Sequence, residues 1–137
     1  PSLIKKLIKK SDNILPINKN WMSLWLLRMS KKNLYLDAEN LVLKNNYIAE
    51  IGTPITEDLP KYQFMGIIKF NKKSILKFIK IFQSINNINI SFTEFLNFII
   101  CKKHLKIKAL RSSTEWYEID NKKDLNISEK LLKSQNL

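Results

Sequence analysis

Glycine is almost missing from this chain of 137 residues, with only Gly52 and Gly66 present. Two isolated glycines cannot make a Gly-rich loop of the kind that cradles phosphate through backbone amides. Cysteine is limited to Cys101, which excludes an intrachain disulfide and fits a reducing compartment; with His104 the sole histidine, no zinc-type ligand set can form. No apolar run approaches the roughly twenty residues that span a bilayer, and the first residues lack the uncharged core of a signal peptide. The expectation is a cytoplasmic protein without a membrane span. Arginine is also scarce. Of 24 basic residues against 12 acidic ones, net charge +12, only Arg28 and Arg111 are not lysine. Nucleic-acid recognition draws on gathered charge and bidentate arginine, whereas an excess of Lys, Ile and Asn together is what a coding bias scatters over a surface. No specific nucleic-acid partner is expected. The alternative reading is a non-catalytic basic module for nucleic acid or anionic lipid heads.

What is present is core-forming material, 45% apolar and 10% aromatic, enough for one domain. Residues 2–10 place Leu3, Ile4, Leu7 and Ile8 on one helical stripe with Lys5, Lys6, Lys9 and Lys10 opposite. Ile14 to Ile17 reads as a short buried or edge strand. Asn20 is a candidate cap for a helix from Trp21 to Met29. Partial alternation over 33–43, Asn45-Asn46, and the run from Tyr47 to Ile51 predict a β-hairpin, since Asn tolerates positive φ. A loop follows over 52–61, with Glu57-Asp58 in it, then a strand from Gln63 to Phe70. Asn71 caps a helix carrying Ile75, Phe78, Ile79 and Phe82; Ser91 and Glu94 form a capping box at the start of the next. Strands are expected over 107–110 and 116–119, with Asp120 or Asn121 capping a last helix. Interleaved helices and strands predict a layered α/β sheet.

Chemistry concentrates near the end, in Trp116-Tyr117-Glu118-Ile119-Asp120. On a strand, Glu118 and Asp120 project to one face at its C-terminal end, where α/β sheets place ligands. Paired hard oxygen donors suit Mg²⁺ and a phosphate substrate. Spacing alone leaves open that Asp120 only caps the following helix and that Glu118 is a surface residue.

The same segment, with Asp124-Leu125, resembles the Trp-x-Glu-Ile-Asp-x-x-x-Asp-Leu ending of small nucleotidyltransferases: bacterial choline-phosphate cytidylyltransferases and the nucleotidyltransferases linked to phosphoenolpyruvate mutase. Pro1 to Lys10 is similar to their Pro-x-Leu-Ile-x-x-Leu helix. Trp21, Arg28 and Asp37-Ala38-Glu39 stand where that family has a Trp, an Arg and an acidic segment. Glu50-Ile51-Gly52 resembles its Glu-Ile-Gly-Lys turn, with Thr53 in place of the Lys, and Gly66-Ile67-Ile68-Lys69-Phe70 its Gly-Ile-x-Lys-Phe strand.

The resemblance implies the C-terminal half of a Rossmann-like nucleotidyltransferase fold, a mixed sheet flanked by helices. Residues 1–137 would be its acceptor- and metal-binding part, inactive by itself, with the Gly-rich nucleotide-binding part outside this chain and an exposed apolar edge or face inviting a homo-oligomer. It implies that Glu118 and Asp120 bind Mg²⁺ between a nucleoside triphosphate, CTP by preference, and a phosphorylated or phosphonate acceptor such as choline phosphate. An acceptor oxygen would attack the α-phosphorus and release pyrophosphate; that oxygen is already ionised, so no general base is needed. A cationic acceptor head would sit among aromatics and a carboxylate. Trp21, Trp25, Phe92, Glu94 and Tyr117 are the candidates, of which the tryptophans and Phe92 have a structural rival as core residues and Glu94 as the capping-box residue.

Overall fold

A computed structural model describes residues 2–56, 58–85, 89–114 and 116–134; Pro1 of the first helix and Glu57 of the long loop lie outside the described residues. The chain forms an α/β layer structure. In order the elements are α1 (Ser2–Ile8), β1 (Ile14–Asn18), α2 (Trp21–Trp25), α3 (Lys31–Asp37), β2 (Glu39–Lys44), β3 (Tyr47–Pro54), β4 (Gln63–Phe64), α4 (Lys72–Ser84), α5 (Phe92–Cys101), β5 (Lys108–Ser112) and α6 (Lys122–Ser134). The sheet has the order β2-β3-β5-β1-β4; β1 and β5 run parallel and the other pairs antiparallel, so it is mixed. No helix among the described residues is long and apolar enough to cross a membrane.

The β1 strand is buried at every position and lies inside the sheet, although it contains Pro16. A proline lacks the N–H that a central ladder needs. Here the ladder tolerates it because Ile14 and Pro16 turn their polar groups toward the β4 side: Ile14 exchanges hydrogen bonds of 2.8 Å with Lys69, and the Pro16 carbonyl accepts from the Met65 N–H at 3.4 Å. On that side nothing can donate from Pro16. The strand expected over 63–70 is accordingly reduced to Gln63–Phe64 and an isolated bridge at Lys69, with Gly66 at φ 70° in the departure between them.

Helix caps follow the local chemistry. Asn71 accepts from the Ser74 N–H at 2.8 Å, and Ser91 and Glu94 close a capping box. In the β2–β3 hairpin, Asn45 and Asn46 adopt φ 49° and 68°, as a tight primed turn requires. Three further expectations change. Asn20 makes no side-chain cap; its own N–H instead donates to Asn18 Oδ1, and regular α-helix ends at Trp25, continuing to Met29 as turns. The start of the 33–43 segment is helical, because Ser30 caps α3 and only Leu34 of that helix is buried, leaving Leu36 79% exposed. Residues 116–119 join no strand; the Glu118 carbonyl accepts from the Arg28 guanidinium rather than from a neighbouring strand.

The main core lies between the sheet and α5, where Leu15, Ile17, Ile51 and Ile107 meet Leu96 and Ile100. A second cluster joins Trp21, Trp25, Leu34 and Ala38, with Trp116 packed against it. Gly52 locks β3 to α5: its φ is 76°, and a Cβ there would lie 2.7 Å from the Thr93 Cβ. Gly52→Ala therefore meets both left-handed backbone strain and a clash with a helix start, an expected loss of about 3 kcal/mol. At Gly66, where a Cβ would meet nothing within 4 Å, only the backbone cost of about 1 kcal/mol remains. Urea unfolding of the two variants side by side measures the difference; equal losses would mean that the Thr93 contact is inconsequential.

Candidate functional site

A cleft of about 480 Å³ opens beside the end of the sheet. One wall is aromatic, with Phe64 of β4 stacked on Phe92 of α5 at 6.4 Å between ring centres and Trp25 of α2 nearby. The other is acidic: Asp37 ends α3, Glu39 begins β2, and Glu118 and Asp120 come from the segment before α6. In a chain of net charge +12, four carboxylates gathered at one hollow oppose the general surface charge. Such a site favours cations and metal-bridged phosphates over bare anions.

Arg28 organises the acidic wall. Its side chain is only 9% exposed, and its Nη1 donates to the Glu118 carbonyl at 3.0 Å and to Glu118 Oε2 at 3.4 Å, while Nη2 donates to Asp120 Oδ2 at 2.9 Å. Asp37 lies 3.9 Å from Nη2, and the buried Asp124 lies 3.8 Å from Nε. The guanidinium also faces the Trp25 ring at 5.6 Å. A rigid planar fork presents its N–H donors in fixed, separated directions and so fixes two carboxylates in one geometry, whereas a lysine offers only a single point charge on a flexible stem. Arg28 thus brings Glu118 and Asp120 together although no strand alternation aligns them.

Asp120 is not the helix cap. Asn121 Oδ1 accepts from the Asp124 N–H at 3.0 Å, and Asp124 Oδ2 accepts in return from the Asp120 N–H at 3.2 Å and from Asn121 Nδ2 at 2.8 Å. This reciprocal closure leaves the Asp120 carboxylate on the cleft, 62% exposed. Burial pushes the Glu118 carboxyl above the ordinary carboxylate range; Arg28 pulls the other way, and the neighbouring charges of Asp120 and Asp37 add to the rise.

Two of the expected acceptor-binding residues, Trp25 and Phe92, line the cleft. Trp21 is buried in the second core cluster, where its Nε1 donates to the Pro60 carbonyl at 3.0 Å. Glu94 accepts from the Ser91 N–H at 2.8 Å outside the cleft lining, and that hydrogen bond lowers its pKa. Tyr117 is not among the lining residues either. Thr53 donates to the Glu50 carboxylate, which also accepts from Asn40 Nδ2 at 3.0 Å. Phe64 and Glu39 enter the site unexpectedly. Phe64 reads in sequence as a core strand residue, and Glu39 gains its place through Thr93, whose Oγ1 donates to Glu39 Oε1 at 2.8 Å across 54 residues.

Among the described residues no set of three or more His, Cys, Asp or Glu is arranged to hold a metal ion. Two carboxylates on one hollow nevertheless have the donor chemistry of Mg²⁺, which commonly takes one or two protein carboxylates and completes its octahedron with substrate phosphates and water.

No family model matches the chain, and no curated protein sequence does. Among solved structures it is similar to the inositol-1-phosphate CTP transferase from T. maritima, with a TM-score of 0.61 and 22% identity. The match covers 92% of this chain and 46% of that one, so the chain spans less than half the length of that protein. What the two share at this identity is a fold, and the α/β architecture with a mixed five-stranded sheet flanked by helices is the part of it seen here.

Proposed function

We propose that this chain is the acceptor- and metal-binding part of a nucleotidyltransferase that moves a nucleotidyl group, cytidylyl by preference, onto a phosphorylated or phosphonate acceptor with a cationic head. The observation that carries this reading is one cleft that combines the Glu118–Asp120 pair with the stacked Phe64–Phe92 wall. In the reaction an ionised acceptor oxygen bonds to the nucleotide α-phosphorus, the bond from that phosphorus to the bridging oxygen breaks, and pyrophosphate leaves. Glu118 and Asp120 would hold Mg²⁺, which when bound neutralises phosphate charge and polarises the phosphorus. Arg28 is a positioning residue, keeping both carboxylates aimed into the cleft. Phe64 and Phe92 would supply aromatic surface to an ammonium, with Trp25 beside them already facing Arg28, and Glu39 and Asp37 add negative charge there. The nucleotide's own phosphate-cradling loop lies in this reading outside the 137 residues, so the isolated chain binds acceptor and does not turn over.

The T. maritima protein is by name an inositol-1-phosphate CTP transferase, and inositol phosphate has a neutral polyol head. Calorimetric titration with choline phosphate and with inositol 1-phosphate separates the two acceptor classes. Choline phosphate is expected to bind about tenfold tighter, the equivalent of one cation–π contact; equal affinities would remove the cationic-head assignment. Acidification provides a second check. Glu118 attracts a cation only when ionised, and its pKa is raised by burial, so choline phosphate affinity should begin to fall at a higher pH than an exposed carboxylate would dictate. Glu118→Gln should flatten that early decline. For stability the sign is opposite: a carboxyl with a raised folded-state pKa holds its proton more tightly when folded, so its contribution to stability rises as pH falls toward the unfolded value.

A further inference from the structure

A second hollow, about 600 Å³, lies between the tip of the β2–β3 hairpin and the C-terminal end of α5. The acidic cleft touches the other end of the same helix at Phe92 and Thr93, so the two sites are separated by the length of α5, about 15 Å for ten residues. Their chemistries are opposite. The second groove is floored by Ile48, Ile100 and Leu105, all buried, with Ala49 and Tyr47 beside them. Its rim carries Lys44, Lys103 and Lys106, and no carboxylate is among its lining residues. Among the described residues none of these three ammonium groups is paired with a carboxylate. The volume falls in the range of small-molecule sites.

The backbone holds this rim in place. Lys103 follows the end of α5 in the left-handed region, φ 58°, with its N–H donating to the Ile100 carbonyl at 2.9 Å and the His104 N–H donating to the Ile99 carbonyl at 2.9 Å. That pairing is a Schellman closure, whose left-handed position usually takes glycine. Lys103 stands at the negative end of the α5 dipole, where a positive charge is favoured, and Lys44 and Lys106 are the rim lysines outside that helix end.

We propose that this groove binds a free single-chain organic anion, with its aliphatic body on the Ile48–Ile100–Leu105 floor and its carboxylate at Lys44 and Lys106. Charge complementarity selects an anionic amphiphile over a neutral one, and the apolar floor selects it over inorganic phosphate.

Cys101 provides the reporter, because it is the chain's sole thiol, is exposed and lines the groove. The rate of its alkylation by iodoacetamide is measured on the unmodified chain with octanoate, with 1-octanol and with inorganic phosphate. Octanoate is expected to slow alkylation about fivefold or more at saturation, phosphate not at all, and 1-octanol only at a concentration about tenfold higher. In Lys44→Gln/Lys106→Gln the protecting concentration of octanoate should rise about tenfold while that of octanol stays unchanged. Ala49→Trp, which fills the groove, should abolish protection by both. An alkylation rate indifferent to octanoate, equal protection by octanol, or protection insensitive to the lysine pair would each overturn the assignment.

Discussion

Arg28→Met is expected to destabilise the protein by about 3 kcal/mol, the scale of breaking a buried ion pair by removing one partner. The guanidinium is the only positive group within ion-pair distance of Asp37, Glu118, Asp120 and Asp124 among the described residues. Not all four carboxylates contribute equally. Asp120 and Asp37 are 62% and 54% exposed and can recover solvation when the arginine is gone. Asp124 is 4% exposed, and Glu118 is desolvated enough for its pKa to rise, so these two keep the cost high. Arg28→Lys restores a charge without the fork that reaches Glu118 and Asp120 together, and should regain less than half of the loss. The measurement is urea unfolding at neutral pH and again at a pH where carboxylates are protonated, where the difference should shrink. A loss below about 1 kcal/mol at neutral pH would mean that solvent already compensates the acidic wall.

Asp120→Asn should have the opposite profile, a small effect on folding and a large one on the proposed transfer. Among the described residues its exposed carboxylate makes one hydrogen bond, to Arg28, while capping of α6 rests on Asn121 and Asp124. An amide oxygen can still accept from Arg28, so the stability change is expected to stay within about 1 kcal/mol. The amide lacks the charge a divalent cation requires. In a protein that joins this chain to a nucleotide-binding part, as the proposed function requires, pyrophosphate release from CTP and choline phosphate in the presence of Mg²⁺ should fall on the order of a hundredfold or more. Replacing Lys5, Lys6, Lys9 and Lys10 with Gln serves as the control for diffuse charge: these residues belong to or follow α1, away from the cleft lining, and turnover should be nearly unchanged. If the lysine variant loses turnover and Asp120→Asn keeps it, the acidic cleft is not the reacting site.

These two residues also show where local reading of a sequence stops. Caps and turns are decided within four residues, which is why the Asn71 cap, the Ser91–Glu94 box and the Asn45-Asn46 turn are all legible in sequence and all present. Long amphipathic stretches are legible for the same reason, since their periodicity is a local property. The segment at 116–119 has strand-like alternation and yet no strand, because its partner is a side chain from position 28 rather than a neighbouring ladder. Likewise the 63–70 run has strand composition, but the strand it meets presents Pro16.

By itself the sequence determined the α/β class, the starts of α4 and α5, the hairpin turn and the choice of Glu118 and Asp120 as a candidate pair, all consequences of spacing along one segment. Only the tertiary structure decided that Trp21 is occupied in the core, that Phe64 and Glu39 join the cleft, and that Arg28 brings Glu118 and Asp120 together. Those outcomes depend on contacts such as Thr93 to Glu39 and Arg28 to Glu118, made across 54 and 90 residues. Hydrogen-bond geometry and burial at such separations are properties of the packed chain, and no local pattern of residue types encodes them.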